Sequence, residues 1–143
     1  MRTDTPNPVR LEDYRPPDFL VETVDLDVVL DPTATRVHAV LRLRPNPQGV
    51  PDAPLVLDGD GLTLTALALD GAALPAERFT ATPDSLTIPA PPRRPFRLDI
   101  ETILDPSANT QLMGLYRSRS TYCTQCEAQG FRRITYFLSL IHI

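Results

Sequence analysis

The sequence contains no lysine; all 14 of its basic residues are arginine, a compositional bias rather than a site. Its net charge of −4 is unevenly placed: residues 1–92 hold 7 Arg against 14 acids, and residues 93–143 hold 7 Arg against 4 acids. The C-terminal third is therefore mildly basic, far short of the dense stripe on one face that a nucleic-acid surface requires. No apolar run approaches the ~18 residues of a membrane span, and the N-terminal MRTDTPNPVRLEDYRPPDF has no apolar leader core. A cytoplasmic location is expected, and in that compartment the two cysteines should stay reduced. HExxH, a glycine-rich phosphate loop and GxSxG are all missing, so no catalytic constellation is complete within the chain. Helices should be scarce, because no long 3.6-residue apolar period exists and 16 prolines sit between the apolar runs.

What is present is a 143-residue chain, 42% hydrophobic and 22% charged, long enough for one domain with its own core. Residues 1–18 are polar and proline-rich and are expected to form a loose lead-in. Two-residue alternation then begins. In VDLDVVLD, Val24, Leu26, Val28 and Leu30 share one face and Asp25, Asp27 and Asp31 the other, the pattern of a half-buried strand. VHAVLRLR repeats it, with Val37, Ala39, Leu41 and Leu43 inward and His38, Arg42 and Arg44 outward, and the intervening DPTAT makes the pair a hairpin. LVLDG, LTLTALALDG, FTAT, SLTIP and FRLDIETIL follow, with Asp58-Gly59 and Asp70-Gly71 as turn dipeptides. The expected fold is all-β, an antiparallel sandwich or open sheet. His38, on the polar side of its strand, reads as a surface residue rather than a general base.

YCTQCEAQGFRRITYF (122–137) is the one stretch dense in chemistry. Cys123 and Cys126 have half the ligands of a structural zinc site, but His38 and His142 have no ligand spacing. A redox pair would want a helix start after a βαβ unit, whereas only strand patterns lie upstream. On composition alone, two reduced thiols in a packed or loop segment are favoured. GFRRITYF imitates an RNA-binding octapeptide, with Gly130, Phe131 and Tyr136 at permitted positions, yet Arg132 and Arg133 stand where a small residue and an aromatic belong. On the plain reading those arginines are solvated or ion-paired, and Ile134 and Tyr136 form one more strand face.

Taken in order, LVLDGDGLTLTALALDG (55–71), SLTIP (85–89), FRLDIETILDPSANTQLMGLYRS (96–118) and YCTQCEAQGFRRITYFL (122–138) closely resemble the N-terminal domain of the M1 family of zinc aminopeptidases, in its bacterial aminopeptidase N form. The resemblance covers Phe19 to Leu138. Its anchors are Asn109-Thr110, Gly114-Leu115-Tyr116 and Cys123-Thr124-Gln125-Cys126-Glu127-Ala128. It implies a β-saddle that packs on a catalytic domain and lends it one loop. By that resemblance Glu127 supplies a carboxylate to the substrate's free α-ammonium, and Gln125 lines the pocket for the first side chain. Zinc would be held by the HExxH of a catalytic domain not contained in this sequence, so this segment alone is expected to be inactive, without catalytic or metal-binding residues of its own. The partners implied are peptide N-termini and the missing catalytic domain, with neither nucleic acid nor membrane. Three departures stand out: Gln129 where glutamate is more usual, Arg119-Ser120 where a glycine-rich turn is more usual, and SLIHI (139–143) after TYFL, which is expected to be a non-native tail. The competing expectation is a stand-alone β-sandwich binding module.

Overall fold

The computed structural model describes residues 10–138 apart from Tyr14 and Ala128. The expected tail, 139–143, and His142 with it lie outside the described residues, as does most of the lead-in, where a 3₁₀ turn is described at Leu11–Asp13. The strands are β1 (Phe19–Val29), β2 (Thr35–Pro45), β3 (Leu55–Asp58), β4 (Thr63–Leu69), β5 (Ala72–Ala73), β6 (Thr80–Thr82), β7 (Ser85–Ile88), β8 (Phe96–Leu104), β9 (Gly114–Ser118) and β10 (Thr121–Gln125). They form a five-stranded sheet in the order β1-β2-β8-β4-β5, a three-stranded sheet β3-β7-β6 and a β9–β10 hairpin, all antiparallel. Among the described residues no helix is long and apolar enough to cross a membrane.

Alternation decides what lies between the two larger sheets. Ala39, Leu41 and Leu43 of β2 and Phe96, Leu98 and Ile100 of β8 point to one side. There they meet Leu55 and Leu57 of β3 and Leu86 and Ile88 of β7. This is a sandwich core, and the all-β antiparallel expectation holds in its parts. The β1–β2 turn is set by Asp31, whose Oδ1 accepts the backbone N–H groups of Thr33 and Ala34, both at 3.0 Å. Those bonds favour the ionised carboxylate and hold Asp31 below the ordinary aspartate range, the Thr33 N–H contributing most. Asp70-Gly71 links β4 to β5 with both residues at positive φ, 52° and 86°, which is the geometry of a type I′ hairpin turn.

Two expectations need correction. The second half of β1 is not half-buried: Val24 is partly covered, but Leu26 and Val28 are 42% and 40% exposed, and Leu30 falls past the strand end. Leu26 and Val28 sit opposite the fully buried Ala39 and Val37, so they point to the core side. The strands of the second sheet, three or four residues long, do not extend over them. Nor do Ile134 and Tyr136 share a strand face. Gly130–Arg133 forms a 3₁₀ turn, and beyond it Ile134 packs under the hairpin with Val37 and Leu115 while Tyr136 enters the main core. The chain crosses from one cluster to the other because Thr102 Oγ1 donates to the Ile134 carbonyl (2.9 Å) and Phe137 bridges Asp58 on the free edge of β3.

Candidate functional site

Gln125 ends β10, and Glu127 lies in the turn that follows. The backbone of this loop is tightly constrained. Gln125 Oε1 accepts the Glu127 N–H at 3.0 Å, and the Gly130 N–H donates to the Glu127 carbonyl at 3.2 Å. Gly130 lies so close to the end of β10 that a Cβ there would stand 2.3 Å from the Gln125 carbonyl oxygen, a contact only glycine escapes. Opposite Gln125 in the hairpin, Gly114 has φ +73°, and a Cβ on it would meet Arg133 Cβ at 2.7 Å. These two glycines let the loop, β9 and the 3₁₀ turn close on one another.

The Glu127 side chain behaves differently from its backbone. It is exposed and makes no hydrogen bond or ion pair with any described residue. The structure thus brings Gln125 and Glu127 together, two residues apart on a locked turn, but gives their side chains different tasks. The Gln125 oxygen is committed to the loop, while neither carboxylate oxygen of Glu127 has a hydrogen bond or ion pair among the described residues, and an ionised carboxylate can accept from an external cation.

Sequence reasoning named Asn109, Arg132 and Arg133 but assigned none of them a role in holding this arrangement. Asn109 Nδ2 donates to the carbonyls of Met113 (2.6 Å) and Leu115 (2.9 Å), and its Oδ1 accepts the Gln111 N–H (3.2 Å), so a single amide shapes the entry to β9. Arg132 donates to Gln129 Oε1 and lies 4.0 Å from Asp58; Arg133 donates to Gln111 Oε1 and pairs with Asp60 at 3.0 Å. The arginine pair is ion-paired rather than solvated. Arg119 occupies the β9–β10 turn at φ +58°, which explains why glycine would be more usual there.

Zinc does not fit the described residues. Among the described residues no three His, Cys, Asp or Glu side chains converge as a ligand set. Both cysteines are free thiols. Cys123 lies within β10 and Cys126 just beyond it, so extended backbone separates their Cα atoms by about 10 Å, too far for the disulfide limit of about 7 Å. Cys123 Sγ turns back toward the Thr121 carbonyl (3.9 Å), and desolvation by its neighbours pushes the thiol of the otherwise exposed Cys126 above the ordinary value, away from the thiolate that metal binding or nucleophilic attack needs.

No protein-family model matches the sequence. Among solved structures, Legionella pneumophila aminopeptidase A in complex with aspartic acid superposes with a TM-score of 0.79 at 32% identity, covering 89% of this chain and 15% of that one. A Deinococcus radiodurans M1 zinc metallopeptidase shares the fold at a TM-score of 0.64 and 20% identity, over 84% of this chain and 29% of its own. The fold is that of the all-β N-terminal domain of M1 aminopeptidases. The chain is a homologue of aminopeptidase N: it is 50% identical to that of Caulobacter vibrioides over 137 residues, 96% of this chain, and 40% identical to that of Escherichia coli over 139 residues, 95% of this chain. It spans only 16% and 15% of the length of those two relatives.

Proposed function

We propose that this chain is the N-terminal β domain of a zinc aminopeptidase that removes N-terminal residues from peptides. Its β10 loop would deliver amine recognition to a separate catalytic domain. In this reading the Glu127 carboxylate takes the substrate's α-ammonium and the exposed Gln125 side chain borders the first side chain. An exopeptidase must tell a charged chain end from an internal amide, and a carboxylate at a fixed place makes that distinction by a charge-assisted hydrogen bond. In this reading zinc and the water it activates belong to the catalytic domain; the described residues of this segment bring no ligand set together. The uncovered apolar side of β1, with Leu26 and Val28, is the surface that domain would cover. Cytoplasmic residence accords with the free thiols of Cys123 and Cys126.

The observation that carries this reading is an exposed carboxylate on a hydrogen-bonded turn, with no partner among the described residues, in a chain 50% identical to an aminopeptidase N. The test is a chimera in which this whole chain replaces the matching segment of the Caulobacter enzyme. It should cleave aminoacyl substrates, and Glu127→Ala should lower kcat/KM about a hundredfold or more by removing a charged contact to the ammonium. An active chimera indifferent to Glu127→Ala would sink the assignment. Reading the source gene past the codon for Leu138 provides an independent check, because an HExxH should follow in frame.

A further inference from the structure

Glu127 does not fix the position of its own carboxylate through any described residue, since that group is exposed and has no hydrogen bond or ion pair among the described residues. Its location depends on the turn beneath it. That turn is clipped at its start by Gln125 and closed by the Gly130 N–H bond to the Glu127 carbonyl; at its far end the Gln129 side chain takes a hydrogen bond from Arg132, which donates to Gln129 Oε1. The same guanidinium lies 4.0 Å from the Asp58 carboxylate, and the Arg132 carbonyl accepts the Asp60 N–H at 3.0 Å. Asp58 is itself fixed, its N–H and C=O both bonded to Phe137 at 2.7 and 3.0 Å. Arg132 therefore connects the site loop to the rigid corner where β3 leaves the sandwich. Its side chain is 31% exposed, and a planar fork can serve two acceptors at once, which a lysine ammonium on a flexible stem does poorly.

We infer that Arg132 is a positioning residue for amine recognition, acting through Gln129 to hold the Glu127 carboxylate where the substrate's ammonium arrives. This rests on the proposed function above. A carboxylate on a loosened turn must be ordered each time substrate binds, so the loss falls on binding more than on the bond-breaking step.

The test uses the full-length chimera with Arg132→Met, which keeps the apolar stem, and Gln129→Ala, which removes the other end of the clamp from an already formed loop. Each should raise KM about tenfold with kcat changed less than about twofold, and Arg132→Lys should fall between wild type and Arg132→Met. The decisive measurement repeats both substitutions in a Glu127→Ala background, where their effect on KM should vanish because the group they position is gone. A loss that persists undiminished in that background, or that falls equally on kcat, would make Arg132 a structural residue only and overturn the inference. If Glu127→Ala is costly while Arg132→Met and Gln129→Ala are silent, the inference fails and the proposed function survives. If Glu127→Ala is itself silent, both fail.

Discussion

Gln125 shows how one side chain can be claimed twice. Resemblance implies a pocket wall, while the structure commits its oxygen to the Glu127 N–H. Gln125→Ala should accordingly do more than change preference for the first residue: kcat/KM should fall about tenfold across all first residues, the scale of one lost hydrogen bond that also loosens a turn. Gln125→Glu keeps an acceptor for that N–H and should lose less. A panel of aminoacyl substrates on the chimera separates the two effects, and a uniform tolerance of Gln125→Ala would show that the clip is dispensable. Acid behaviour is also decided residue by residue. The Asp70 carboxyl is lowered, chiefly by the Arg97 backbone N–H and then by Arg94, and that of Asp99 chiefly by the bidentate bond from the Arg97 guanidinium and then by His38. Asp31 is lowered as well. Each pKa is lower folded than unfolded, so each contributes stability above the unfolded value near 3.8 that is lost as pH falls through the folded value. The melting temperature should be flat on this account at neutral pH and drop below about pH 4, and Asp70→Asn should flatten that acid limb. An unchanged acid limb in Asp70→Asn would remove this carboxylate from the explanation.

At the scale of elements, the β9–β10 hairpin is a separate unit on a small cluster of its own, Val37, Leu115 and Ile134. Its entry depends on the three hydrogen bonds of Asn109. Asn109→Ala should cost about 1–3 kcal/mol, since two part-buried carbonyls lose their donor, and denaturant titration of the 143-residue chain would measure it. Its turn carries a strain that can be relieved. Arg119→Gly should stabilise the chain by up to about 1 kcal/mol by accepting the left-handed φ at no Cβ penalty, and a loss of stability instead would contradict the geometry at +58°. Periodicity made β1, β2 and β8 legible in sequence, because eleven- and nine-residue alternations outweigh any local alternative. The 3₁₀ turn was not legible. ITYF alternates like a strand, but the close packing of Gly130 on Gln125 and Gly114, and the bonds of Ile134 and Phe137 to Thr102 and Asp58, set its path instead.

For the whole molecule, the uncovered core side of β1 is the feature with most consequence. Leu26 and Val28 leave exposed apolar surface on the core side of an edge strand, a combination that invites association. The isolated chain should self-associate at micromolar concentrations in light scattering, and Leu26→Arg with Val28→Arg should return it to monomer without unfolding it, since both side chains already meet solvent. A monodisperse wild-type chain would favour the stand-alone binding module over a domain awaiting its partner.

Sequence by itself determined the alternation that builds two sheets, the turn chemistry of Asp31 and Asp70-Gly71, and the motif pairing Gln125 with Glu127. These are local matters, decided by side-chain period and by which residues tolerate a tight turn. Tertiary structure decided the rest: which half of an apolar face is covered, which acceptor each of two adjacent arginines finds, and how Glu127 stays exposed, without a partner among the described residues, while its turn is hydrogen-bonded. Those outcomes depend on segments far apart in the chain meeting at Asp58, Gly114 and Gly130, and no pattern along a single segment contains that information.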